Sequence, residues 1–335
     1  MKTFETAAFA AAAAVSLGAT AQAEEASYVL ATASTGGTYY PVGVALSTLV
    51  KVKLEPSENI GMSAISSAGS GENVRLLRED EAQFAILQGL FGSYAATGTG
   101  PIAESGPQEQ LRSVTMLWQN VEQFIVSNDA AGDGTVAALA DLKGAGMAMG
   151  AQNSGTIGSN ATLLEGLGID INTDYELVFG GYGPSVEALQ NGQVKGVGIP
   201  AGVPTGAISQ LMAAAGDSVT PLEVTDEQMA AMDGGRELWT RYVIPAGTYP
   251  GQDADWNTIA QPNFLATNAD VSEENVYLIT KTIYENLPFL QAIHPATKAM
   301  ALESAIAGLP VPLHPGAARY YQEQGIEIPD RLMAK

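Results

Sequence analysis

Ala33-Ser34-Thr35-Gly36-Gly37-Thr38-Tyr39-Tyr40 is the stretch whose reading decides the fold. The apolar run Tyr28 to Ala31 before it predicts a short buried strand. Val42 to Leu54 follows, with Val42, Leu46, Leu49 and Val50 at helical spacing. A strand, then a hydroxyl-rich loop with two glycines, then a helix is an order that aims backbone N–H groups at an anion. The glycines permit a tight turn and a close approach to the backbone. The first N–H groups of a helix have no partner inside it and carry the positive end of its dipole.

Two further loops share this build. Ser66-Ser67-Ala68-Gly69-Ser70-Gly71-Glu72-Asn73 follows a strand predicted at 61–66 and opens a helix predicted at 72–79, with Ser70 placed to cap it. Gln152-Asn153-Ser154-Gly155-Thr156 follows a strand predicted at 146–150 and opens a helix predicted at 157–167. Strand-to-helix turns occur in any α/β protein, and capping alone accounts for one serine. Their recurrence in two separate strand–helix series predicts a cleft lined from both sides. Ligand sites favour domain interfaces and the carboxyl ends of strands in open α/β sheets.

The remaining chain fits such series. Strands are predicted at 83–87, 114–117 and 123–127, and a new series begins after Gly132-Asp133-Gly134. It continues with a strand at 175–179, a helix at 184–190, a strand at 194–199 and a helix at 205–215. Helices are expected late in the chain at 272–286, 295–307 and 317–324. Repeated strand–helix units predict an α/β protein with parallel sheets.

Residues 1–23 read as a signal peptide. Lys2 gives a charged start, Ala7 to Val15 is apolar, and Ala21-Gln22-Ala23 is a small-x-small cleavage signal. The apolar run is too short to span a bilayer. The chain carries 36 acids and 15 bases, a net charge of −21. Nucleic acid is a poor partner for that balance, since its binding leans on clustered Lys and Arg. No cysteine is present, so disulfides and thiolate chemistry are excluded. His294 and His314 each precede a proline and have no ligand partner nearby in sequence, which predicts structural roles. Neither His-Glu-x-x-His, Gly-x-Ser-x-Gly nor a Gly-x-x-x-x-Gly-Lys loop occurs. Asn128 to Gly134 resembles half a calcium loop without its later Glu, and reads as a solvated turn.

Six segments, taken in order, resemble the TAXI family of solute-binding proteins, the extracytoplasmic receptors of tripartite ATP-independent periplasmic (TRAP) transporters. They are Ser34 to Pro41, Gly69 to Asn73, Leu139 to Gly144, Asn153 to Thr156, Pro245 to Gly251 and Pro312 to Ala317. The likeness runs from about Tyr28 to Ile326. It implies an α/β, two-lobed periplasmic-binding-protein fold of type II-like form, with the ligand cleft between lobes. Lobe I is then expected over 24–122 and 245–335, and lobe II over 123–244. The resemblance also implies a periplasmic location, no catalysis and no cofactor. The expected partners are a small anionic solute and the TRAP membrane subunits, with the receptor itself a monomer. Glutamate, 2-oxoglutarate and related dicarboxylates are the implied solute class.

Carried over residue by residue, the resemblance places Thr35, Gly36, Gly37, Thr38 and Tyr39 at the ligand, with Ser70, Asn73 and Gln88 from the same lobe. Ser154, Gly155 and Thr156 follow from the second lobe, and Tyr182 and Pro200 are added from predicted strand ends. Two departures stand out. Lys195-Gly196 replaces an acid-small pair, and Trp118-Gln119-Asn120 replaces an aromatic-Pro-Glu pattern near the hinge. Two rival readings are the receptor of an ATP-driven importer, which shares the fold, and a periplasmic enzyme acting on amino acids. The enzyme would need a base or nucleophile that the cleft loops do not obviously supply.

Overall fold

A computed structural model describes residues 25–334, so the predicted signal peptide lies outside the described residues. In chain order the first lobe runs β1 (Ala26–Ala31), α1 (Tyr39–Glu58), β2 (Ile60–Ile65), α2 (Ser70–Arg78), β3 (Phe84–Gln88), α3 (Gly89–Thr97) and β4 (Leu111–Val121). The chain then crosses over to β5 (Phe124–Ser127), β6 (Gly146–Ala148), α4 (Gly155–Glu165), α5 (Ile171–Asp174), β7 (Glu176–Leu177), α6 (Tyr182–Gln190), β8 (Gly196–Gly198), α7 (Gly206–Ala215), β9 (Val219–Pro221) and α8 (Asp226–Asp233). It returns through β10 (Thr240–Ile244) and β11 (Trp256–Asn268), and ends with α9 (Glu273–Glu285), α10 (Leu287–Ile293) and α11 (Pro315–Glu323).

Two sheets result. One has the order β10-β11-β3-β1-β2, with β4 also paired to β11; the other is β7-β6-β8-β5-β9. β1 is parallel to β2 and β3, and β6 to β7 and β8. The expectation of parallel sheets holds for these strands only. β11 is antiparallel to β3, β4 and β10, and β5 to β8 and β9. β4 and β5, and β10 and β11, follow each other in the chain with no α-helix between them.

Side-chain alternation builds the second core on both faces of its sheet. Ile125 packs on one side with Val197 and Leu211, while Phe124 and Val126 pack on the other with Met147 and Leu163. In lobe I, α1 buries Val42, Leu46, Leu49 and Val50 as one stripe. Pro41 falls in its first turn, where a proline costs no helical bond. The helix expected at 295–307 is replaced by short 3₁₀ turns at Pro295–Ala299 and Leu302–Ser304. Tertiary bonding explains the difference: the Met116 N–H donates to the Ala305 carbonyl at 2.7 Å, and the Ser113 N–H to that of Pro312 at 2.8 Å. The segment therefore edges β4 instead of coiling. Both histidines are caps: His294 Nδ1 accepts from the Ala296 N–H at the start of the first 3₁₀ turn, and His314 Nδ1 from the Gly316 N–H at the start of α11.

Glu122 and Gln123 form the crossover between β4 and β5, and both side chains are fully buried. Glu122 Oε1 accepts from Ser159 Oγ at 2.9 Å, Trp239 Nε1 at 3.0 Å and Gln261 Nε2 at 3.4 Å, while Oε2 has no partner. It therefore ties α4, the segment before β10, and β11 to the hinge. Burial without a cation pushes its carboxyl up to about 7, against the lowering effect of these three donors. The fold thus holds this proton more tightly than the unfolded chain does. The cost of burying the charge is absent below the ordinary value of 4.5 and complete above about pH 7. Glu122→Gln should therefore melt close to the parent at about pH 4.5 and higher than it at about pH 8, by on the order of 1–3 kcal/mol. Calorimetry at both pH values checks this, and a difference that does not grow with pH contradicts it.

Candidate functional site

A cavity of about 210 Å³ lies between the lobes, where the carboxyl ends of β1, β3 and β6 meet the starts of their following helices. Four helices begin at its wall. Thr38 and Tyr39 start α1, Gly69 and Ser70 start α2, Ser154 to Thr156 start α4, and Gly181 and Tyr182 start α6. Gln88, the residue before α3, completes the polar lining on the lobe I side. No Asp, Glu, Lys, Arg or His lines the cavity. Its polarity comes from helix ends, hydroxyls and amides.

Each polar side chain has a defined role. Ser154 is the N-cap of α4 and accepts from the Ile157 N–H at 3.1 Å, so its own O–H proton is available to a ligand. Ser70 does not cap α2 as the sequence suggested. Its hydroxyl accepts from the Gln88 N–H at 3.0 Å, tying the Ser66–Asn73 loop to the end of β3. Thr38 Oγ1 donates across the cleft to the Gly202 carbonyl at 2.8 Å, so it clasps the lobes. Tyr182 donates to the Pro200 carbonyl and meets Thr156 Oγ1 at 3.0 Å, which fixes the lobe II wall. Tyr39 donates to Asn263 Oδ1, and its ring stands edge-on to Trp118 at 5.9 Å. Burial pushes both phenols well above the ordinary range, so they stay protonated donors.

Gly37, Thr38, Tyr39, Ser70, Gln88, Ser154, Gly155, Thr156, Tyr182 and Pro200 all line the cavity. Three other residues expected at the ligand do not. Thr35 is exposed on the outer side of its loop. Gly36 faces lobe II instead: its carbonyl accepts from the Ala207 N–H at 3.2 Å. Asn73 is buried beneath the loop that begins at Ser66, where Nδ2 donates to the Thr32 and Ile86 carbonyls at 2.7 and 3.0 Å and Oδ1 accepts from Ser67 Oγ. It braces the loop from behind. Sequence reading missed Ser34, Gly69 and Gly181 as lining residues, although the first two stand in its own motif loops. Asn120 also lines the cavity, from the end of β4, where the Trp118-Gln119-Asn120 departure had marked the hinge. The half-calcium turn is held by Asp129 to Lys195 Nζ at 2.7 Å, and no cluster of metal-binding side chains occurs among the described residues.

A family model described as NMT1-like matches residues 30–325, nearly all of the described chain. The chain belongs to the NMT1-like family. The match does not by itself assign the narrower TAXI identity. Among solved structures, this NMT1-like protein resembles one from Bordetella bronchiseptica RB50, at 13% identity and a TM-score of 0.52 over 92% of this chain and 91% of that one. It also resembles PhnD1 from Prochlorococcus marinus (MIT 9301), solved with methylphosphonate, at 12% identity and a TM-score of 0.52 over 81% and 90%. At such identity the likeness speaks for the fold alone, two α/β lobes with a cleft between them.

In this NMT1-like protein the lobes meet at backbone distance. A Cβ on Gly71 would lie 2.3 Å from the Asn153 carbonyl oxygen, and one on Gly155 would lie 2.6 Å from Gln88 Oε1 and 2.8 Å from Ser70 Cβ. Both glycines sit outside the left-handed region; a Cβ on Gly71 would also meet Phe91 of its own lobe at 3.3 Å, whereas the three nearest atoms to one on Gly155 all belong to the facing lobe. Gly155→Ala should therefore leave the melting curve of the ligand-free protein nearly unchanged and hold the lobes apart. Small-angle scattering with added ligand should show a larger radius of gyration than the parent. Compaction equal to the parent's would show that this contact does not gate closure.

Proposed function

We propose that this protein is an extracytoplasmic receptor that captures a small carboxylate between its lobes and delivers it to the membrane subunits of a transporter. One observation carries the reading: four helix N-termini from two lobes converge on one cavity that holds no charged side chain. Each helix end contributes about 0.3–1 kcal/mol to an exposed anion, and up to about 2 kcal/mol where partly buried. Together with the Ser154 hydroxyl and the cleft amides they replace the water around a carboxylate without a guanidinium. The cavity is smaller than the roughly 300–1,000 Å³ of drug-sized sites, which suits a metabolite of a few carbons. Closure buries that solute and brings the two lobes into one surface, so the ligand favours the closed form by its preference for it.

The partner reading has two supports that point to different transporters. The six ordered segments favour the TRAP membrane subunits of the TAXI resemblance. NMT1-like family membership fits the receptor of an ATP-driven importer better. The gene beside this one separates them, since an ATPase or a large permease is diagnostic. Export to the periplasm is supported by the Ala7 to Val15 run and the Ala21-Gln22-Ala23 signal. A receptor reading needs no catalysis, cofactor or stable self-association.

A thermal-shift screen of the chain from Glu24 against amino acids, oxo acids and dicarboxylates tests the capture reading. A ligand that binds only the folded state at about 100 times its Kd adds about 2.7 kcal/mol, a shift of a few degrees for a chain of this size. The expected result is such a shift for a small carboxylate and none for its methyl ester. Equal shifts for acid and ester would overturn anion capture.

A further inference from the structure

We propose that Asn120 selects against ligands that carry an ammonium group, so that the site takes an oxo acid or dicarboxylate in preference to the matching amino acid. The inference rests on the carboxylate-capture reading and sharpens it.

Asn120 is 1% exposed and lines the cavity at the end of β4. Its orientation is set from behind. The Tyr39 hydroxyl donates to Asn263 Oδ1, and Asn263 Nδ2 donates to Asn120 Oδ1 at 3.4 Å. That relay leaves Asn120 Nδ2 as the end of the chain, and it has no partner. A buried donor left unpaired costs about 1–3 kcal/mol, so the ligand is called on for an acceptor at this point. An ammonium offers three donors and no acceptor.

The rest of the wall agrees. No carboxylate lines the cavity to balance a cation, and four positive helix ends oppose one. Glu122, the acid of the adjoining crossover, is not part of the lining; its Oε1 is held by Ser159, Trp239 and Gln261. Gln88 Oε1 is an unpartnered acceptor, but it lies against Gly155 and is a single neutral group. A buried ammonium would meet neutral acceptors only, with no counter-charge among the lining residues.

Isothermal titration with matched oxo and amino acids tests this: pyruvate and L-alanine, oxaloacetate and L-aspartate, 2-oxoglutarate and L-glutamate. For the pair that binds best, the oxo acid should bind about tenfold or more tightly than the amino acid. Asn120→Asp should reduce that ratio by about tenfold or reverse it, since it supplies the missing counter-charge. Asn120→Ala, which adds no buried charge and so serves where the acid destabilises the fold, should weaken the oxo acid by about tenfold. Tighter binding of the amino acid by the parent, or an unchanged ratio in folded Asn120→Asp, overturns the proposal while leaving carboxylate capture standing. Binding of no member of any pair, by protein shown free of carried-over ligand, overturns both.

Discussion

The first N–H groups of α1, α2, α4 and α6 cannot be paired within their own helices, and the fold turns all four helix starts toward one cavity. Much of the architecture follows from that constraint. β1 and β6 end at the cleft, so the helices that follow them begin there. The loops between are built of glycine, serine and threonine, because larger side chains would fill the space that a solute needs. Where the lobes touch, at Gly71 against Asn153 and Gly155 against Gln88 and Ser70, even a methyl group is excluded. A neutral wall of this kind attracts an anion through fixed dipoles, and none of the acids behind the net charge of −21 lines it.

The hinge carries the second constraint. Two chain crossings join the lobes, one through Glu122 and Gln123 and one through β10 and β11. Gln123 accepts from the Tyr249 hydroxyl and donates to Thr205 Oγ1 at 3.1 Å, so both crossings are bonded to each other and to the start of α7. Glu122 does the same toward α4. Polar groups buried at this depth require partners, and those partners come from both lobes and from the hinge strands.

The local grammar of the chain was legible. Strand, small loop and helix recur around Ser34, Ser70 and Ser154, and each of these loops opens on the cavity. The apolar spacing of α1 and α9 marks their buried faces. What escaped the sequence was non-local. β11 reads poorly as a strand because Thr258, Gln261, Asn263 and Thr267 are buried polar residues and Pro262 interrupts it at a register shift against β4. Its partner β4 lies far away in the chain, and no local pattern announces the pairing. Asn73 was misplaced for a related reason. Its motif fits a ligand contact, yet its amide is consumed by the Thr32 and Ile86 carbonyls, which only the packing of β1 against β3 brings within reach. Asn120 was visible as a departure, and its place beside the ligand space emerged only from the end of β4.

A crystal structure of the protein with the carboxylate that stabilises it most tests the central claim most directly. The account predicts one ligand between the lobes, its carboxylate oxygens within hydrogen-bonding distance of N–H groups at the starts of at least two of α1, α2, α4 and α6, from both lobes. A ligand held elsewhere, or one whose carboxylate points away from these helix ends, would contradict it.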